Sequence, residues 1–184
     1  MKQIIFGLTL SVGVALGSMA YAAGDPPAPS TNTDTSPKKL KCKKNEVIKT
    51  VTKDGVKKKV CVKLEAGILP DEELYQQGRA LAKENEYDWA LTVLAAISNQ
   101  NDPRVLNYTG YSHRKAGRLE TGITFYRKAL AINPNFMLAR EYLGEGYVAA
   151  GRVDLARLEL AEIGARCGVG CEEYKDLKLA IDTM

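Results

Sequence analysis

The chain has 184 residues, 45% hydrophobic and 26% charged, with a formal net charge of +4, one histidine and four cysteines. This composition excludes a collagen-like or wholly disordered chain and leaves enough apolar residues for one domain with a sizeable core. One histidine is too few for a histidine-rich zinc site, so neither a metal nor a cofactor is expected.

The chain opens MKQIIFGLTLSVGVALGSMAYAAGDPP. Lys2 gives a positive start, Ile4 to Leu16 is an uncharged apolar run, and "AYA" at Ala20 to Ala22 fits the small-residue cleavage rule. Residues 1–22 therefore read as a signal peptide, cut near Ala22 or Ala23. The run is shorter than the roughly 20 residues of a membrane span, and no basic flank follows it. No cysteine lies there to take a lipid anchor. The expectation is a mature protein that is soluble, without a transmembrane segment, and periplasmic or secreted. Residues 23–39, rich in Pro, Ser, Thr and Asp, read as a disordered linker.

Residues 40–66 read as a basic β-hairpin. "VIKTVT" and "VKKKVCV" are β-branched runs on either side of Asp54-Gly55, a pair suited to a two-residue turn with positive φ at both central positions. With Lys53 opposite Val56, Ile48 faces Cys61 and Val47 faces Val62. Cys42 then lies beyond the first strand and reaches Cys61 only if "KKNE" folds back. The cysteines fall as two local pairs, Cys42 with Cys61 and Cys167 with Cys171. Four cysteines allow three connectivities; proximity favours these two disulfides in an oxidising compartment. The three residues between Cys167 and Cys171 do not give the spacing of a thiol oxidoreductase. Residues 38 to 63 hold eleven lysines against Glu46 and Asp54, so a basic arm precedes a mildly acidic body. Outside the cytoplasm nucleic acid is not the expected target of such an arm; it reads either as a contact to an anionic cell-envelope polymer or membrane surface, or as a soluble, structural arm with no binding role.

Residues 67–184 read as helical and repetitive. Gly110 matches Gly144 and Gly117 matches Gly151, each at an offset of 34 residues. That is the period of helix–turn–helix arrays. The second copy carries Leu106, Gly110, Gly117, Tyr126, Ala129 and Pro134, and the third Leu143, Gly144, Tyr147, Gly151 and Ala156. At these residues the chain resembles the tetratricopeptide repeat family, as an exported bacterial member. An earlier copy fits less closely, with Leu74, Gly78, Ala90 and Leu94, and with Asn85 in the turn where the others have Gly. Gly78 to Gly110 is 32 residues rather than 34, which predicts a shorter first inter-repeat loop. The second copy departs from the pattern at His113 and Gly122, the third at Arg140 and Leu160.

The resemblance implies an all-α, right-handed helical-hairpin solenoid of about three repeats, preceded by the disulfide-closed hairpin. A final helix, "CEEYKDLKLAI", is expected to cap it with Tyr174, Leu177, Leu179 and Ile181. It also implies a concave groove lined by the first helix of each repeat. Carried over, these positions are Tyr75, Arg79 and Lys83, then Arg104, Asn107, Tyr111, Arg114 and Lys115, then Glu141 and Glu145. Such a groove is basic and aromatic at one end and acidic at the other. It suits an extended, mixed-charge segment of another protein or peptide. The carboxylate clamp of chaperone-tail binders in this family is not expected, because its positions here are Tyr75, Arg79, Tyr108, Leu138 and Tyr142. Catalysis is not expected either: His113 falls at a packed position, and its neighbour Ser112 points about 100° away around the helix.

Overall fold

The computed structural model describes residues 40–184, so the expected signal peptide (1–22) and linker (23–39) lie outside the described residues. The first elements are two antiparallel strands, β1 (Glu46–Lys53) and β2 (Val56–Lys63), paired from Lys53↔Val56 through Ile48↔Cys61 to Glu46↔Lys63. Asp54 and Gly55 turn the chain at φ 52° and 77°, the left-handed pair that a tight hairpin requires. At the open end Asn45 sits at φ 65° and the Glu46 amide donates to the Lys43 carbonyl (3.0 Å). This fold-back brings Cys42 to Cys61, with their Cα atoms 5.5 Å apart in a disulfide.

Seven helices follow: α1 (Asp71–Lys83), α2 (Tyr87–Ala95), α3 (Pro103–Lys115), α4 (Leu119–Ile132), α5 (Met137–Ala149), α6 (Val153–Cys167) and α7 (Glu172–Asp182). They pack as the pairs α1–α2, α3–α4 and α5–α6, with α7 laid on α5 and α6. The three intra-pair turns share one design. The amides of Glu86, Arg118 and Arg152 donate five residues back, to the carbonyls of Leu81, His113 and Tyr147 (2.8–2.9 Å). The residue before each donor has positive φ: Asn85 at 66°, Gly117 at 83° and Gly151 at 70°. These are helix C-caps that need a left-handed residue, and Asn serves where Gly is missing.

Inside the pairs, glycine lets backbones approach. A Cβ on Gly122 would lie 2.8 Å from the Gly110 carbonyl oxygen, and one on Gly110 would press into the Tyr126 ring at 2.9 Å. Gly122 thus departs from the family pattern only in being smaller still. The expected shortening of the first repeat does not fall in the loop. Helix α2 has 9 residues against 14 for α4, while residues 96–102 form a longer link than 133–136. That link is held by Asp71, whose carboxylate accepts from the Ser98 and Asn99 amides (2.9 and 3.3 Å).

The hairpin is fastened to the repeats rather than merely preceding them. Val47 is 1% exposed and belongs to the same core as Leu74, Val93 and Leu94, with Val62, Leu64 and Trp89 packed around it. The Gln77 carboxamide of α1 takes the place of a third strand. Its Oε1 accepts from the Ile48 amide (2.7 Å), and its Nε2 donates to the Ile48 carbonyl (2.8 Å). At the other end, Leu177 of α7 is fully buried against Gly144, Tyr174 and Ile181 are half-buried, and a Cys167–Cys171 disulfide joins α6 to α7. Leu179 is 63% exposed, contrary to the expected cap face. Tyr174, Leu177 and Ile181 follow the 3–4 spacing of one helical stripe, and Leu179 falls off it.

Candidate partner-binding groove

Helices α1, α3, α5 and α7 turn side chains toward one concave face. Beneath it runs a chain of tyrosine rings, buried except for the half-buried Tyr111: Tyr75 to Tyr108 (6.0 Å between centroids), Tyr108 to Tyr111 (6.0 Å), Tyr111 to Tyr142 (5.2 Å) and Tyr142 to Tyr126 (6.0 Å). The tilted geometries are those that aromatic quadrupoles favour. Tyr108 and Tyr142 stand 34 residues apart, so the repeat itself supplies the middle of this pavement.

Cations lie on these rings. Arg104 is 4.6 Å from the Tyr75 centroid and also pairs with Asp102 (2.8 Å) and Glu72 (3.0 Å). Arg79 lies 5.6 Å from the Tyr108 centroid, and its Nε donates to the Tyr108 hydroxyl (2.9 Å). The Lys83 ammonium is 4.7 Å from the Tyr111 centroid and 5.3 Å from that of Tyr142, whose hydroxyl accepts from it at 2.8 Å. Lys115 is 5.8 Å from the Tyr111 centroid. Burial pushes the Tyr142 and Tyr126 hydroxyls well above the ordinary tyrosine range, so both remain neutral hydrogen-bonding groups near neutral pH.

The polarity reverses toward α7. Glu141 is only 5% exposed, yet its carboxyl lines a cavity of about 450 Å³ between α3, α5 and α7. Burial, followed by the charges of Glu145, Asp176 and Glu173, pushes Glu141 up to about 8. Glu145 is tied to Arg114, which also donates from Nε to the Tyr126 hydroxyl (3.2 Å). Burial works against the Arg114 charge, but Tyr126 and Glu145 restore it.

Solved structures share this architecture. MamA superposes with a TM-score of 0.53 at 17% identity, over 61% of this chain and 67% of that one. The Sgt2 TPR domain from Aspergillus fumigatus gives 0.55 at 18% identity, over 65% and 84%. The first TPR of Spaghetti (RPAP3), bound to the HSP90 peptide SRMEEVD, gives 0.55 at 13%, over 65% and 97%. The chain has the tetratricopeptide-repeat fold. No protein-family model matches it, and no curated protein matches it by sequence.

Set on this TPR frame, most of the expected groove residues come together: Tyr75, Arg79, Lys83, Arg104, Tyr111, Arg114, Lys115, Glu141 and Glu145 all join the aromatic floor, its cations or the acidic cavity. Asn107 does not. It is fully buried, and its amide has no hydrogen-bond partner among the described residues, so it offers no surface to a ligand. Arg114 is fastened rather than free: its side chain is 8% exposed. Sequence reasoning left out Tyr108 and Tyr142 as supports of the groove, though their common 34-residue offset marked them; at 2% and 6% exposed they hold it from beneath. It also left out Glu172, Glu173 and Asp176, which α7 adds to the cavity wall and which no repeat pattern announces. Ser112 and His113 are separated as expected. The Ser112 hydroxyl donates to the Tyr108 carbonyl (2.8 Å), while His113 stacks on Phe125 (5.5 Å) and accepts from Arg118 at Nδ1 (2.8 Å). Burial and Arg118 hold His113 below its ordinary value.

Proposed function

We propose that this chain is a periplasmic interaction adaptor, not an enzyme, whose groove holds an extended segment of another protein. The observation that carries the reading is the unbroken tyrosine floor from Tyr75 to Tyr142. Most of these rings are buried beneath the groove and hold Tyr111 and the exposed cations Arg79, Lys83, Arg104 and Lys115 in place above them, so the surface offered to a peptide is preorganised. The Spaghetti domain was solved with a peptide bound, which supports the same use of the fold here. Arg79 is the one basic residue at the clamp positions, so a C-terminal carboxylate is not the feature recognised. A mixed-charge segment fits instead, its acidic residues toward Arg79 and Arg104 and its basic ones toward α7. Two disulfides and the apolar start of the chain support export to an oxidising compartment. His113 and Ser112 are both engaged elsewhere, which leaves no nucleophile–base pair at this surface.

The test is site-specific crosslinking in intact cells. A photoreactive residue at Lys115, in the groove, should capture one identifiable partner, and the same group at exposed Arg157 on α6 should not. Lys83→Glu should cut that capture at least about tenfold while leaving the circular dichroism unchanged. Equal capture from both positions overturns the reading. Arg114 is a poor probe, because breaking its pair with Glu145 would disturb the fold.

A second reading, a tether to an anionic cell-envelope polymer, is favoured by the outer half of the hairpin. Lys53, Lys57, Lys58 and Lys59 are exposed there, while the contacts to the repeats are made at the base by Val47 and Ile48. Attachment through these lysines should weaken steeply with salt. Envelope binding that survives both high salt and Lys57→Glu/Lys58→Glu/Lys59→Glu sinks the tether.

A further inference from the structure

The acidic end of the groove gathers several carboxylates without a basic partner. On other faces a number of carboxylates meet arginines: Asp102 and Glu72 with Arg104, Asp88 with Arg118, Glu120 with Arg152, Glu159 with Arg140. Around the cavity, Glu141, Glu172, Glu173 and Asp176 have no hydrogen-bond or ion-pair partner among the described residues, although the molecule carries a net positive charge. Three of these stand on α7, where solvent stabilises them. Glu141 does not share that environment. As a residue it is 5% exposed, it lines the cavity, and an acid so enclosed without a partner carries a desolvation cost when it ionises. A protein that needed only stability would place Gln or Leu there.

The opposite wall indicates what fits. Tyr111 and Tyr142 already hold an ammonium, that of Lys83, against their faces, and Lys115 lies at the outer edge. Leu138 adds an apolar strip suited to an alkyl stem. A divalent ion suits the wall less well. Among the described residues, the only groups of three possible ligands that converge closely enough involve the disulfide cysteines, not these carboxylates.

We propose that the cavity between α5 and α7 is a receptor for a basic side chain of the partner segment, whose charge pairs with Glu141 and whose stem lies along Tyr111 and Leu138. This rests on the groove reading above and specifies the chemistry at one end of it. Binding has a proton signature. Glu141 is faced by Glu145 on its own helix, by Glu172, Glu173 and Asp176 from α7, by Lys115 and Tyr111 from α3, and by Lys83 from α1. Burial first, and then these acids, outweigh the lysines, so free Glu141 holds a proton up to about pH 8 and releases it when a cation arrives.

The experiment is a titration of the full chain with N-acetyl-tetralysine amide at pH 6.0, 7.0 and 8.0 and low salt, followed by calorimetry and by the resonances of Tyr111 and Tyr142. Affinity should rise with pH by up to about tenfold per unit, with a proton released. The ε-acetylated peptide should not bind. Glu141→Gln should weaken binding and flatten the pH dependence, and exposed Asp176→Lys, which leaves the core untouched, should weaken it at least about tenfold. Binding that is flat with pH, or unchanged in Glu141→Gln, overturns the proposal as mere attraction to the surface of α7. So does butylammonium binding as tightly as the peptide, which would mean a small-amine site, and so does calcium shifting the same resonances while the peptide does not. If the peptide fails while Lys115 still crosslinks a partner, only this inference falls. If Lys115 captures nothing, the groove reading falls with it.

Discussion

The two ends of the repeat array are closed by different devices. At the N-terminal end a β-hairpin inserts Val47 into the first core and is held to α1 by one carboxamide, that of Gln77. At the C-terminal end α7 presses Leu177 against Gly144 and brings three carboxylates to the rim of the groove. Each closure is stapled by a sequence-local disulfide. A terminal repeat can thus be finished in two ways. A helix continues the packing of the array and so extends its functional surface. A hairpin ends that packing, and its lysines face solvent.

The largest expected effect breaks the helical closure. Leu177 is fully buried, and Gly144 leaves no other side chain to refill its place. Leu177→Ala should cost about 4 kcal/mol in chemical denaturation, with α7 losing amide protection before α3 and α4 do. Next come the staples. In the loop-entropy account, a closure of 19 residues is worth about 3 kcal/mol and one of 4 residues about 2. Cys42→Ser/Cys61→Ser should therefore destabilise more than Cys167→Ser/Cys171→Ser, and a reversed order would show that strain, not loop length, sets the balance. Smaller again is Gln77→Ala. It frees both Ile48 backbone groups at the sheet edge, where water replaces the lost bonds, for about 1 kcal/mol. Hydrogen exchange at Ile48 should rise while exchange in α5 stays unchanged.

The repeats were legible from sequence because their signals are local and periodic. Gly117, Gly151 and Asn85 mark left-handed caps, and Asp54-Gly55 fixes a register that the structure reproduces residue for residue. The cysteine pairs were legible by proximity. What escaped was non-periodic or depended on three-dimensional neighbours. Nothing in "VIKTVT" indicates that Val47 enters the core of the repeats, since a basic hairpin reads alike whether docked or free. Asn107 occupies a groove position by its place in the repeat, yet burial removes it from the surface. The acids of α7 fall outside the repeat, so no pattern could carry them to the groove, where they join Glu141 and Glu145 in making that end acidic.

The last effect, of similar size but seen only as pH changes, belongs to one closure alone. Docking α7 places Glu173 and Asp176 near Glu141 and helps raise that group to about 8, from an ordinary value of 4.5. The folded state therefore binds a proton that the unfolded chain has released between these values. The stability linked to Glu141 is fully present below about pH 4.5, falls as pH rises toward 8, and is flat above it, with a slope of at most about 1.4 kcal/mol per pH unit. His113 acts in the opposite sense, since burial and Arg118 lower it and its linked stability is lost as pH falls below 6.5. Comparing the native chain with Glu141→Gln cancels the histidine. Between pH 6.5 and 7.5 the native chain should lose about 1 kcal/mol relative to the variant, read from urea midpoints at each pH. Adding Asp176→Asn to the native chain should shrink that loss, whereas Lys58→Glu in the hairpin should leave it unchanged. A loss that ignores Asp176 but responds to Lys58 would place the proton-linked group at the wrong end of the array.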